Sequence, residues 1–183
     1  YRWLLTYLYG ASSLAEKGFL SEEVGCVRSI RNSKHGYVNA EDVHISFSSL
    51  EQYVADIEHA VQSGQLSAEK EFYSSVRLRG AKTSRDFLRK GISYLEFRIF
   101  DLNPYDPFAI SQETLDTVHL FLLALLWLDQ LADVDNALTK ADRLNNFIAL
   151  SHPHTPLPSD ADPTPILIAM KAIVIHFGLD DYY

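Results

Sequence analysis

The chain has 183 residues, 47% of them hydrophobic and 22% charged, a composition typical of a soluble globular domain with a sizeable core. Its net charge of −8 and the scattered positions of its Lys and Arg residues argue against a nucleic-acid partner. The longest apolar run, residues 120–128, is well short of the roughly 20 residues that cross a bilayer. We therefore expect no membrane partner.

The start of the chain and its cysteine content indicate its context. The chain begins at Tyr1 and its only methionine is Met170, so we interpret it as a fragment of a longer protein. A single cysteine, Cys26, excludes an intrachain disulfide, and no secretory leader is recognisable near the start. We expect a cytoplasmic location, with Cys26 as a small buried hydrophobic residue.

The first elements in chain order are a strand and a helix. Alternation of apolar and polar residues over 43–47 predicts a half-buried strand. Ser48 or Ser49 then caps a helix that Gly64 ends. The apolar residues of that helix recur at spacings of three and four, which places them on one face: Leu50, Tyr53, Val54, Ile57 and Val61.

Two further strands are predicted in the middle of the chain, over residues 68–78 and 92–100, with a short amphipathic piece at 84–90 between them. Asn103-Pro104 and Asp106-Pro107 then impose a loop, because proline restricts the residue before it and lacks an amide donor.

Helices dominate the rest of the chain. Ser111 caps a long helix that reaches about Ala132, and further helices are predicted at 137–150 and 166–177, the last one ended by Gly178. Strands early and helices late indicate the α+β class, with an antiparallel sheet and packed helices, rather than regular βαβ units.

The most informative stretch for function is the predicted strand over residues 93–100. Side chains alternate across a strand, so Glu96 and Arg98 share one face with Tyr94 and Phe100. A solvated face with a surface ion pair is the commoner origin of such a pattern. The alternative is a phosphate site, where the carboxylate binds a divalent cation and the guanidinium binds a phosphoryl group.

Two other segments carry candidate binding residues. In the predicted strand over 68–78, Tyr73 lies between acids and arginines, where its hydroxyl could reach a substrate carboxylate. Residues 28–37 hold three cations and a histidine in an otherwise acidic chain, with Gly36 suited to a turn beside a ligand. That segment is either a local anion site or a flexible solvated loop, and the pattern alone favours the loop.

Four stretches together resemble the bacterial glutamate–cysteine ligases, most closely the ligase half of bifunctional enzymes that also carry a glutathione synthetase domain. They appear in the family's order over about the first 110 residues. The sequence departs from the family at Ser13, where proline is usual, and in a shorter segment between Ala15 and Ser29, around Leu20 and Ser21. The four stretches are Tyr7-Leu8-Tyr9-Gly10-Ala11-Ser12, Ser29-Ile30-Arg31-Asn32-Ser33-Lys34-His35-Gly36-Tyr37, Glu69-Lys70-Glu71-Phe72-Tyr73, and Tyr94-Leu95-Glu96-Phe97-Arg98 with Asp101-Leu102-Asn103-Pro104.

The resemblance implies a role for each matched residue. Glu96 corresponds to a magnesium ligand and Arg98 to the catalytic arginine that contacts the transferred phosphoryl group. Arg31 corresponds to a residue at the glutamate substrate. Tyr37 and Tyr73 correspond to tyrosines that hold the cysteine carboxylate.

The resemblance also implies the activity and the organisation of the parent protein. The fold would be part of a glutamine-synthetase-like catalytic domain, with residues 1–183 as the C-terminal portion of the ligase domain. The half that supplies most acidic metal ligands would be absent, so the fragment alone would be inactive. ATP, with Mg²⁺ or alternatively Mn²⁺, would activate glutamate as its γ-glutamyl phosphate for attack by cysteine. A fused glutathione synthetase domain would be a partner in the parent.

Two other functions remain open on the residues alone. A related carboxylate–amine ligase would keep the phosphoryl chemistry and use another amine acceptor. A non-catalytic scaffold would bind a partner through the apolar face of residues 118–128.

Overall fold

The computed structural model describes residues 1–11, 25–40, 42–129 and 131–179, together with the backbone of residues 13 and 14. Leu20 and Ser21 lie outside the described residues. The described helices are α1 Arg2–Tyr9, α2 Leu50–Gln62, α3 Ser84–Lys90, α4 Gln112–Trp127, α5 Val134–Leu150 and α6 Thr164–Phe177. The described strands are β1 Ser13–Leu14, β2 Cys26–Val27, β3 Val76–Arg79 and β4 Tyr94–Phe97, and a 3₁₀ turn spans Glu69–Glu71.

Both strand pairs are antiparallel, β1 with β2 and β3 with β4. Together with the packed helices they confirm the predicted α+β class. No helix in the described ranges is long and apolar enough to cross a membrane.

The larger hydrophobic core lies among four helices, where α1 packs on α5 and α4 packs on α6. From α1 it takes Trp3, Leu4 and Leu5, and Ile99 joins it just after β4. Helix α1 was not predicted from the sequence. Eight residues are too few to form a stable helix alone, so burial of this apolar face against α5 stabilises α1.

A second core lies under α2 and includes Tyr53, Val54 and Ile57 from the predicted apolar face, together with Phe72. Ser49 caps α2 by accepting a hydrogen bond from the amide of Gln52 at 3.0 Å, as predicted. This helix and its cap are therefore confirmed.

The predicted strand over residues 43–47 is wrong, because these residues are irregular. Val43 is buried against α2, and the amide of Ser46 donates to Asp56 Oδ2 at 2.9 Å. The side chain of Asp56 in α2 thus accepts the amide hydrogen bond that a strand residue would donate to a neighbouring strand.

The strands predicted over 68–78 and 92–100 exist but are shorter, as β3 and β4. Residues 69–71 form a 3₁₀ turn instead, since their carboxylates bond nearby amides: Glu71 accepts from the amide of Ser67, and Glu69 from that of Ser84. The register of the pair places Arg77 opposite Glu96 and Arg79 opposite Tyr94.

The later helices follow the prediction except at their ends. Ser111 caps α4, and Gly178 ends α6 in the left-handed conformation with φ 61°. Helix α4 stops at Trp127 rather than near Ala132, and α5 begins at Val134 because Asp133 caps the amide of Asn136. Cys26 is exposed, so the prediction that it is buried is wrong.

Candidate active site

Residues 28–33 are anchored in the protein and do not form a solvated loop, which corrects the interpretation favoured by the charge pattern. Arg28, Ser29, Asn32 and Ser33 are all buried. The Arg28 guanidinium donates to the carbonyls of Thr155, Tyr7 and His152 at 2.7, 3.1 and 3.4 Å, and it lies over the Tyr7 ring at 4.3 Å. Burial lowers the pKa of this guanidinium.

A network of buried polar side chains connects this segment to α1, α5 and the end of β4. The Asn32 side chain donates to Ser29 Oγ at 3.0 Å and to the Ile99 carbonyl at 2.8 Å. The Asn145 side chain donates to the Asn32 carbonyl at 2.8 Å and accepts from Thr6 Oγ1 at 2.7 Å. We call Thr6, Ser29, Asn32 and Asn145 the polar network.

Gly36 is required by a close approach of the backbone. A Cβ atom at this position would overlap the carbonyl group of Arg31 and lie 2.8 Å from the Ile30 carbonyl oxygen. The backbone therefore folds back between Arg31 and Tyr37, and the Arg31 guanidinium carbon lies 5.3 Å from the centre of the Tyr37 ring.

Arg31 lies against the end of β4. Its Nε and Nη2 atoms donate to the Arg98 carbonyl at 3.2 and 2.9 Å, and its guanidinium carbon lies 5.3 Å from the centre of the Tyr37 ring. The two-nitrogen contact fixes the plane of the guanidinium. Arg31 and Arg98, distant in sequence, are thus neighbours.

The two predicted tyrosines stack on each other. The ring centres of Tyr37 and Tyr73 are 5.6 Å apart with an angle of 28° between the planes, and the Arg98 guanidinium carbon lies 5.6 Å from the Tyr73 ring centre. Asn39 holds the backbone of Tyr73 by two hydrogen bonds, of 2.7 and 2.8 Å. Both rings remain open to solvent at one side, since Tyr37 is 64% exposed and Tyr73 is half-buried.

Glu96 is surrounded by arginines. Arg79 Nε donates to Glu96 Oε2 at 2.7 Å and Arg79 Nη2 lies 2.6 Å from the same oxygen, whereas Arg98 Nε lies 3.8 Å from Oε1. The hydrogen bond from Arg79, together with the charges of Arg79, Arg98 and Arg77, lowers the pKa of the Glu96 carboxyl group. The carboxylate is therefore held in its charged form.

All the residues predicted for the site meet in one place. Arg31, Tyr37, Tyr73, Glu96 and Arg98, which we call the rim, are connected side by side through the contacts above. With Arg77 and Arg79 beside them, guanidinium groups outnumber the one carboxylate of the rim. An acidic chain thus carries a local positive surface suited to an anion.

A family model described as glutamate-cysteine ligase matches residues 1–146. The chain belongs to the glutamate–cysteine ligase family.

Curated relatives with high sequence identity are described as bifunctional proteins of glutathione biosynthesis. The glutathione biosynthesis bifunctional protein of Streptococcus mutans is 61% identical over 184 residues, which cover 100% of this chain and 24% of the relative. The corresponding protein of Enterococcus faecalis is 46% identical over 158 residues, covering 84% of this chain and 21% of the relative. The chain thus spans about a quarter of the length of the S. mutans relative.

Two solved structures have a similar fold. A bifunctional glutathione synthetase from Pasteurella multocida matches with a TM-score of 0.87 and 39% identity, covering 97% of this chain and 24% of that one. A glutamate–cysteine ligase from Francisella tularensis, solved in complex with AMP, matches with a TM-score of 0.78 and 21% identity, covering 94% and 45%. The second match is evidence for the fold alone.

Members of this ligase family use ATP, and the phosphate groups of a nucleotide require a cation nearby. In the described part of the chain, no three His, Cys, Asp or Glu side chains lie close enough to hold a metal ion. Glu96 can contribute one oxygen ligand, because none of the described residues donates a hydrogen bond to Oε1, while Oε2 is bound to Arg79. A hard cation needs several oxygen ligands, so Glu96 fits as one member of a larger set.

Three residues that shape the site were not predicted from the sequence: Arg79, Asn32 and Asn39. The sequence pattern placed Tyr73 between acids and arginines but did not identify the arginine that reaches Glu96. Asn32 lies in the family-like stretch of residues 29–37 but was assigned no role. Its position next to Arg31 was the one indication in the sequence that it belongs to the site. Nothing in the sequence pattern distinguished Asn39.

Proposed function

We propose that this chain is the C-terminal portion, residues 1–183, of the ligase domain of a glutamate–cysteine ligase. The reaction is the ATP-dependent formation of γ-glutamylcysteine from glutamate and cysteine, the first step of glutathione biosynthesis. Family membership supports the chemistry, and the observation that carries the proposal is the meeting of the five rim side chains at one surface.

Each rim residue receives one role. Arg31 binds the glutamate substrate, and its contact with the Arg98 carbonyl keeps it beside the phosphoryl site. Tyr37 and Tyr73 bind the cysteine carboxylate, since a phenol hydroxyl donates well to a charged oxygen. Arg98 contacts the phosphoryl group in transfer, and Glu96 is a metal ligand.

Catalysis by these residues consists of positioning and charge neutralisation. Glu96 would help to hold Mg²⁺, or alternatively Mn²⁺, and the ion would supply positive charge to neutralise the phosphate groups. The γ-carboxylate of glutamate attacks the γ-phosphorus of ATP and releases ADP. Arg98 stabilises the charge that develops on the phosphoryl oxygens. The cysteine amine then attacks the carbonyl carbon of the γ-glutamyl phosphate, a peptide bond forms, and phosphate leaves.

The proposal extends to the surroundings of the domain. The bifunctional names of the relatives, and the share of their length that this chain covers, support a fused glutathione synthetase domain in the parent protein. A cytoplasmic location is consistent with a substrate that carries a free thiol, because reducing conditions preserve thiols.

Phosphate release tests the reaction. We expect the full-length protein to release phosphate from ATP and to form γ-glutamylcysteine only when glutamate, cysteine and a divalent cation are all present. Turnover that is unchanged when unrelated amines replace cysteine would contradict the cysteine assignment and favour a ligase with another acceptor. The 183-residue polypeptide alone is expected to be inactive, because its described residues supply a single candidate metal ligand.

A further inference from the structure

We propose that Arg79 is a positioning residue for the metal ligand Glu96: it holds Oε2 and so leaves Oε1 free for the divalent cation. The inference rests on the proposed function, which makes Glu96 a ligand. It assigns a role to a residue outside the motifs that identified the site.

The contact is specific to one oxygen. Both Arg79 nitrogens reach Oε2, at 2.7 Å from Nε and 2.6 Å from Nη2. The contact of the other oxygen with Arg98 is longer, since Arg98 Nε lies 3.8 Å from Oε1, beyond hydrogen-bond distance. Because a carboxylate is planar, fixing Oε2 also fixes the direction in which Oε1 points.

The neighbouring Arg77 provides a matched comparison on the same strand. It lies directly opposite Glu96 in the strand register, and side chains two residues apart share a face, so both arginines face the carboxylate. Arg77 Nη2 nevertheless donates to the Lys70 carbonyl at 3.5 Å, whereas Arg79 donates to the Glu96 carboxylate. The two residues carry the same charge but differ in their contact with Glu96.

Charge and orientation predict opposite effects on metal affinity. If Arg79 acted only through its charge, removing it would tighten metal binding, since like charges repel. If Arg79 orients Glu96, removing Arg79 would weaken metal binding. Residues that hydrogen-bond a metal ligand without contacting the metal typically contribute about 10–100-fold in affinity. The sign of the change therefore separates the two roles.

The experiment measures Mn²⁺ affinity of the full-length protein, without nucleotide, by electron paramagnetic resonance of free Mn²⁺. Glu96→Gln first identifies the site that depends on Glu96. At that site we expect Arg79→Gln to weaken binding about 10–100-fold and Arg77→Gln to leave it unchanged or tighter. Arg79→Lys, which keeps the charge but loses the two-nitrogen contact, should bind more weakly than the wild type.

The outcomes separate the inference from the proposed function. If Glu96→Gln leaves Mn²⁺ binding unchanged, Glu96 is not a ligand and the proposed metal role fails. If Glu96→Gln weakens binding while Arg79→Gln binds as well as or better than the wild type, the positioning role alone is overturned. Should Arg79→Gln fail to fold, Arg79→Lys decides: weaker binding supports the role, and unchanged binding overturns it.

Discussion

The rim and the polar network lie next to each other but differ in their access to water. Glu96 and Arg98 in the rim have side chains 36% and 33% exposed, whereas Asn32 and Asn145 in the polar network are 3% and 2% exposed. Exposed ion pairs contribute little to stability, but buried polar groups are costly when left unpaired. The rim is therefore expected to control activity, and the polar network to control whether the rim is in place.

The largest expected effect is on activity, from a substitution in the rim. Arg98→Lys keeps a charge but loses the planar fork, so the contact with the phosphoryl group in the transition state is lost. We expect kcat and kcat/KM to fall together by about 10²–10³-fold, the loss seen when one such contact is removed. Steady-state kinetics of the full-length protein measure this, and added Mg²⁺ should not restore the rate. Near-normal kinetics would show that Arg98 belongs only to a surface ion pair.

The next effect is on stability, from a substitution in the polar network. Asn145→Leu would leave the Thr6 hydroxyl and the Asn32 carbonyl without their main partner. We expect the free energy of unfolding to fall by about 1–3 kcal/mol for each of these buried groups, measured by urea unfolding.

The adjacent Asn146 is the matched control for that substitution. Asn146 is half-buried and accepts one solvent-accessible hydrogen bond, from the amide of Lys34 at 2.7 Å. Asn146→Ala should lower the free energy of unfolding by about 0.5–1.5 kcal/mol. Equal losses for the two substitutions would contradict the claim that the buried polar network stabilises the fold more than a solvent-accessible hydrogen bond on the same helix.

The smallest effect is expected in the loop that follows β4. Ala109 has a φ of 62°, a left-handed conformation that a side chain disfavours by about 1–2 kcal/mol and that glycine adopts freely. Ala109→Gly should therefore raise the free energy of unfolding by up to about 1 kcal/mol, since glycine also makes the unfolded chain more flexible. Activity should not change. A loss of stability in urea unfolding would show that this conformation carries no strain.

The same contrast explains how far the sequence could predict the molecule. Local signals were sufficient for α2, α4 and α6, whose apolar periodicity and capping residues Ser49, Ser111 and Gly178 depend on near neighbours. The rim residues were found because each lies in a short motif of the family.

The rest depends on contacts between distant residues. Thr6 and Asn145 are 139 residues apart, and Asn32 and Asn145 are 113 apart, so no pattern along the chain could reveal the polar network. Helix α1 forms because α5 covers it, and residues 43–47 are irregular because Asp56 satisfies the amide of Ser46. The selection of Arg79 rather than Arg77 as the partner of Glu96 likewise depends on the folded pair of strands β3 and β4.

The measurement that tests the account most directly is the KM of each substrate in Tyr73→Phe, which removes one hydroxyl from the rim. Losing a hydrogen bond to a charged group costs about 1.5–3 kcal/mol, so we expect the KM for cysteine to rise about tenfold or more. The KM values for glutamate and ATP should stay within about twofold, because losing one solvent-accessible contact has little effect on the rest of the site. Tyr94→Phe, an exposed tyrosine on β4, is the matched control and should change none of them. An unchanged KM for cysteine, or an equal rise for glutamate, would contradict the assignment of the stacked tyrosines to the cysteine substrate.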